Sequence, residues 1–305
     1  MTEAITAERT EASETVRDRG VVLAYEVVRA AGRALPERTG RALFRATGAL
    51  AYRLLPGVRA TVAANQAQVL GRPPADPLVV ASTREAFRSY GRYWFDTFHV
   101  TRMTDEQVLA RVRCDTEDRL DRVSQAGTGA ILALPHMGNW DAAGRWMAAR
   151  GTPVVSVAEE LRPRRLFELF LRHRAELRMD IIGLTAGGGV GRQLTDALAA
   201  GRFVALVADR DLTGRGIEVE MFGRVRRIPT GPALLSITTG APLMVTPVFS
   251  TPSGWTIRIG EPIEVPATGD RRAHVQDVAR RMAREFERAI SEAPSDWHLF
   301  QPGWP

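Results

Sequence analysis

The sequence predicts an α/β fold, with a mostly parallel central sheet flanked by helices and an N-terminal amphipathic helical segment. Three observations predict it. Short apolar runs of strand length occur at 130–135 (AILALP), 153–158 (PVVSVA), 180–184 (DIIGL), 203–208 (FVALVA) and 243–249 (LMVTPVF). Stretches of helical periodicity at 140–150, 163–178, 190–200 and 231–239 alternate with them, as parallel strands joined by crossovers require. Ahead of this alternation, residues 20–98 read as successive helices.

Taken in order, residues 1–17 are polar and lack the apolar core of a secretion signal, so residues 1–19 are expected to form a flexible start. Residues 20–56 read as two helices broken at Leu35–Pro36. In the second, Leu43, Phe44, Leu50, Ala51, Leu54 and Leu55 share a face interrupted by Thr47, while Arg38, Arg41, Arg45 and Arg53 lie opposite. Such a helix either lies in a membrane interface, arginines among lipid phosphates, or packs on its own domain. Residues 57–70 form a helix stopped by Gly71 and Pro73–Pro74. Residues 78–98 carry an aromatic stripe, Phe87, Tyr90, Tyr93, Trp94 and Phe98, expected in the core. After the alternating region, WTIRI (255–259) reads as an antiparallel hairpin partner. A last helix, 272–292, buries Val275, Val278, Met282, Phe286, Ala289 and Ile290. With no repeat and no low-complexity linker, residues 20–305 read as one domain, with 20–55 as its membrane-associating helices.

Composition removes several chemistries. The chain has 305 residues, and its 41 cations are all arginine against 35 acidic residues, a net charge of +6. Without lysine there is no Walker-type phosphate loop and no Schiff-base catalysis. The single Cys114 excludes an intrachain disulfide, a thiolate zinc finger and an iron–sulfur cluster, and fits a reducing compartment. His99, His173, His274 and His298 form no spaced cluster with acids, so no metal is expected. No stretch approaches the roughly 20 apolar residues of a spanning helix. The positive charge fits either plain solubility or a phosphate-rich partner. Nucleic acid drops out, because no recognised fold motif or interleaved aromatics accompany the arginines.

In open α/β sheets, ligands bind beyond the carboxyl ends of the strands. After AILALP comes His136-Met137-Gly138-Asn139-Trp140-Asp141. A glycine turn there can bring Asp141 to His136, where the carboxylate would fix the imidazole tautomer and create a general base; a buried, capped histidine is the alternative. After FVALVA comes Asp209-Arg210-Asp211. Asp209 there holds a sugar hydroxyl or supports His136, and Arg210 takes a phosphate, unless the three form only an intraloop ion pair. Residues 216–233 read as a loop clustering Arg224, Arg226 and Arg227 before a helix N-terminus, which is either a phosphate site or a solvated charged loop. AGGGVGR (186–192) lacks the dinucleotide spacing and reads as a flexible helix start. No serine sits in a nucleophile elbow.

LALPHMGNWD (132–141) resembles the H-x-x-x-x-D block of the bacterial lipid A biosynthesis acyltransferase family, and within it the phosphatidylinositol mannoside branch. Five further segments fall in the same order: SYGRYW (89–94), VAEELRP (157–163), ADRDLTGRGIEVEMFG (208–223), RIPTGPALL (227–235) and DWHLFQPGW (296–304). The resemblance covers roughly residues 20–305. It implies an α/β enzyme peripheral to the cytoplasmic face of the cell membrane. Its reaction would move a palmitoyl-like chain from acyl-CoA, a co-substrate and not a bound cofactor, to the 6-hydroxyl of a mannose on phosphatidylinositol mannoside. It implies His136 as base and Asp141 as its partner, with Asp209 standing where that branch carries a functional glutamate. Arg174 matches an arginine near the active site and is expected to contact the acceptor phosphate, and Arg210, Arg226, Arg227 and Asn139 are the remaining expected substrate contacts. The backbone near Gly138 and the following helix N-terminus are expected to hold the oxyanion. A related enzyme with another glycolipid or lipid A acceptor, and an inactive lipid-binding protein on this scaffold, remain the alternatives.

Overall fold

Proline sets the first boundary. Its ring pushes the preceding residue out of the α region, and Leu35 sits at φ −73°, ψ 143°. In the computed structural model, which describes residues 15–184, 189–211, 214–265 and 270–304, this break separates α1 (Val16–Ala34) from α2 (Glu37–Leu54). The first helix begins at Val16, ahead of the expected residue 20, because Thr15 and Asp18 close a capping box. Residues 1–14 of the expected flexible start lie outside the described residues. Next come α3 (Pro56–Leu70), ended by Gly71 in the left-handed region, and α4 (Pro77–His99), capped by Asp76. Of the aromatic stripe on α4, Phe87, Tyr93 and Phe98 are buried as expected, together with Phe95.

Glycine decides how α2 meets α4. Gly40, Phe44 and Gly48 form its buried seam. A Cβ on Gly48 would stand 2.1 Å from the Phe87 carbonyl oxygen, and one on Gly91 of α4 would stand 2.1 Å from that of Phe44. The backbones therefore touch, and the apolar stripe read from sequence splits in two. Phe44 turns inward, while Leu43, Leu50 and Leu54, about 100° away round the helix, remain half exposed or more. Arg41 also leaves the expected lipid-facing set: its Nε donates to Asp96 Oδ1 at 2.7 Å and it pairs with Glu37. Arg45 pairs with Glu85. Gly48→Leu is expected to cost about 2–3 kcal/mol in urea denaturation, as overpacking against fixed backbone does. Gly57→Ala, with open space around it, should be neutral or slightly stabilising.

A connecting region follows, with α5 (Asp105–Leu109), β1 (Val112–Arg113) and α6 (Asp118–Ala126). The alternating region then folds as β2 (Ala130–Leu134), α7 (Trp140–Ala149), β3 (Val155–Glu159), α8 (Arg164–Glu176), β4 (Asp180–Leu184), α9 (Val190–Ala199) and β5 (Phe203–Val207). The chain continues through β6 (Ile217–Met221), β7 (Arg224–Ile228), α10 (Gly231–Thr239) and β8 (Leu243–Val245). It closes with β9 (Val248–Ser250), β10 (Trp255–Ile257) and α11 (Arg271–Glu292).

All five apolar runs supply the main sheet, which is wholly parallel in the order β4-β3-β5-β2-β8. Every residue of the internal strand β2 is buried. Its alternate side chains serve two layers. Ile131 and Ala133 face the cluster built with α9, α10 and α11, while Leu132 and Leu134 face the one that includes Trp146 and Met147 of α7. The expected apolar face of α11 is buried in the first of these.

Two readings change. LMVTPVF is two strands, because Pro247 has no N–H to continue a ladder. Thus β10 pairs antiparallel with β9 as expected, but in a separate sheet of order β1-β10-β9. Residues 217–228, expected as loop, form the antiparallel hairpin β6–β7. Phe222 and Gly223 make its two-residue turn, both at positive φ (53° and 73°). In the glycine run, 186–188 lie outside the described residues and Gly189 caps α9.

Candidate active site

Strand adjacency assembles the site. β2 and β5 are parallel neighbours with Leu134 opposite Val207. His136 and Asp209 each lie two residues beyond that pair, so the two strands deliver them side by side past the carboxyl edge of the sheet. His136 Nδ1 lies 2.5 Å from Asp209 Oδ1. Asp209 is fully buried, while the His136 side chain keeps 23% exposure. Burial alone would raise the Asp209 carboxyl, but His136, the Trp297 indole N–H and Arg226 outweigh it and hold it down at about 2. An ionised carboxylate only accepts, so Nδ1–H donates to it; in the neutral imidazole this tautomer leaves the lone pair on Nε2. The arrangement can take a proton from a hydroxyl at Nε2.

The expected pairing inside the H-x-x-x-x-D block is not made. Asp141 is buried and uses both oxygens elsewhere, accepting from Tyr93 Oη at 3.0 Å and from Arg174 Nε at 3.2 Å. Its helix, α7, carries it away from the imidazole. Arg174 is thereby tied to Asp141 and lies over Phe170. Asn139, expected to contact substrate, is 1% exposed: Oδ1 caps α7 through Ala142 N–H, and Nδ2 donates to Tyr93 O and Thr97 Oγ1. Gly138 requires its positive φ of 60°, and a Cβ there would meet Val248 O at 2.1 Å. Its N–H donates to Asp296 O at 2.9 Å, so it is not an oxyanion donor. That expectation passes to the first turn of α7.

The C-terminal segment completes the walls. Met137 bridges Trp297, and His298 N–H donates to His136 O at 2.7 Å. Ser89 gives its only proton to Asp296 Oδ1, so His298 Nε2–H must donate to Ser89 Oγ across 3.0 Å. Burial, and then the nearby His136, push His298 down to about 3. The unfolded chain therefore binds a proton that the native state refuses below about pH 6.5. This contribution to stability is intact above that pH and is lost progressively as pH falls toward 3. His298→Asn is expected to flatten the decline of the thermal midpoint between pH 6.5 and 4, measured by calorimetry. Asp209 adds an acid loss of its own, between about 4 and 2.

The three-arginine cluster separates because β7 is a strand and neighbouring residues face opposite ways. Arg226 points inward, 3% exposed, its guanidinium over Trp297 and Trp304 and its Nη2 donating to Asp209 O at 2.6 Å. Arg227 points outward and pairs with Glu218. Arg210 donates to Gln301 and faces Glu159 at 3.7 Å. Sequence reasoning did not single out Tyr93, Trp297 or His298 as members of the site. The block DWHLFQPGW holds the last two, but nothing local places it beside residue 136.

A narrow apolar cleft lies between α7 and the sheet, with an internal volume of about 30 Å³. Leu132, Leu134, Trp140, Met147, Met179 and Ile257 are among its walls. Trp140 also meets His136 edge to face, with ring centroids 5.5 Å apart. Among the described residues no group of three His, Cys, Asp or Glu could hold a metal ion, and no helix is long and apolar enough to cross a membrane.

Residues 10–305 match the family model described as bacterial lipid A biosynthesis acyltransferase. A phosphatidylinositol mannoside acyltransferase of Mycobacterium tuberculosis (strain CDC 1551 / Oshkosh) is 38% identical over 288 residues, covering 92% of this chain and 87% of the relative. That of Mycolicibacterium smegmatis is 35% identical over 290 residues, covering 95% and 91%.

Proposed function

The chain belongs to the bacterial lipid A biosynthesis acyltransferase family and is an acyltransferase; from that premise we propose that it moves a palmitoyl-like chain from acyl-CoA to the 6-hydroxyl of a mannose on phosphatidylinositol mannoside. One observation carries the chemical part. His136, whose ring meets the cleft wall Trp140, has one nitrogen held by a buried carboxylate and the other left as a base.

The acyl chain lies along the apolar lining of the cleft, which widens to admit it. The mannose hydroxyl gives its proton to His136 Nε2 as its oxygen attacks the thioester carbon. Collapse of the tetrahedral intermediate breaks the C–S bond, and the imidazolium returns the proton to the departing thiolate, leaving an ester and free CoA thiol. Asp209 steadies the imidazolium between these steps. Arg210 lies at the tip of β5 as a cation for the phosphate of donor or acceptor, and Arg174 orients Asp141 and the Tyr93 hydroxyl below the site.

The enzyme works peripherally, at the cytoplasmic face of the membrane. Leu43, Leu50, Leu54 and Leu55 form an exposed ridge on the N-terminal helices, and Arg38 and Arg53 of α2 have no ion pair among the described residues. The testing experiment incubates the protein with palmitoyl-CoA and a panel containing phosphatidylinositol mannosides and a lipid A precursor, and identifies products by mass spectrometry. Palmitoylated mannoside as the main product supports the reading. Exclusive acylation of another acceptor, or only thioester hydrolysis, overturns it.

A further inference from the structure

We infer that Trp297 is a positioning residue for this reaction, its indole N–H fixing the carboxylate that orients the base. The inference rests on His136 being the base. Trp297 is 1% exposed, and its Nε1 donates to Asp209 Oδ2 at 2.7 Å. Asp209 Oδ1 serves His136, so the two oxygens have one donor each among the described residues.

A carboxylate can rotate about its Cβ–Cγ bond unless both oxygens are held. Here the group is fully buried, so bulk solvent does not reach the second one. Without the indole N–H, Oδ2 would be an uncompensated charge in a buried site, favouring rotation toward another donor or protonation. Either outcome loosens the Nδ1–H hydrogen bond and frees the imidazole to turn. The backbone strengthens the link, because Trp297 bridges Met137 and the next residue donates to His136 O. One short segment thus anchors both members of the couple. Arg226, stacked on the Trp297 ring and donating to Asp209 O, keeps the indole in register from the other side.

The test compares Trp297→Phe with Trp255→Phe in the palmitoyl-transfer assay. Trp255 is equally buried, but its Nε1 has no partner among the described residues, so it controls for loss of a buried indole. Trp297→Phe is expected to lower kcat roughly ten- to a hundredfold, the range of one hydrogen bond to a charged group, with both KM values within about twofold. Trp255→Phe is expected to leave kcat unchanged. Proton NMR supplies the readout that a structural role would not move: the downfield Nδ1 proton of His136 shifts or vanishes in the first variant and stays in the second. Should Trp297→Phe fail to fold, benzothienylalanine at 297 keeps the bicyclic ring and removes only the N–H; it is expected to give the same losses. A folded Trp297 variant with wild-type kcat and an unmoved Nδ1 proton overturns the inference. If His136→Ala is itself fully active, it is the proposed base that fails, and the two failures are distinguishable.

Discussion

His136→Ala is expected to reduce palmitoyl transfer by roughly 10²- to 10⁴-fold, the usual contribution of a positioned general base. KM for the thioester should change little, because the donor's chain binds in the cleft and not on the imidazole. The fold should survive. The side chain is partly exposed, and Asp209 retains Trp297 and Arg226 as partners once the imidazole is gone. Steady-state kinetics with a thermal melt on the same sample checks both parts. Loss of activity without a large fall in the melting midpoint is the predicted combination.

Asp209→Asn should be nearly as damaging, for a different reason. The amide is almost isosteric and preserves packing, but it carries no charge. It can also turn its NH₂ toward Nδ1, which forces the imidazole proton to Nε2 and removes the lone pair that takes the substrate proton. A loss on the order of 10²- to 10⁴-fold in kcat is expected. Asp141→Asn makes an instructive contrast. Its carboxylate touches Tyr93 and Arg174 and not His136, so the variant should lose stability and substrate alignment before it loses basicity. These assays are straightforward to run side by side with one acyl-CoA and one mannoside.

Much of the fold was legible because each strand of the main sheet is an apolar run too short for a helix, and each crossover carries helical spacing. Strand order was not legible, since local periodicity says nothing about which strands become neighbours. That gap put Asp141 first as the partner of His136 and left Asp209 as one of two roles at its strand tip. Along the chain Asp141 is five residues away, whereas across the sheet Asp209 sits beside it by the Leu134–Val207 register. Being one methylene shorter than the expected glutamate has not cost Asp209 its reach, as the 2.5 Å contact shows. The arginine cluster dissolved for a similar reason. The turn pair is Phe222-Gly223 and not an Asn-Gly or Asp-Gly signal, so the segment reads as loop; the hairpin then alternates Arg226 inward and Arg227 outward. On α2 the leucines were visible, but the glycines that choose its buried seam carry no hydrophobic signal at all.

The most direct test is a double-mutant cycle on His136→Ala and Asp209→Asn, with transfer of palmitate from palmitoyl-CoA to phosphatidylinositol mannoside as the readout. Groups that act as one unit lose their effect together, so the double variant should be about as slow as His136→Ala alone. Losses that multiply, or a double variant far slower than either single one, would contradict a base held by its buried carboxylate.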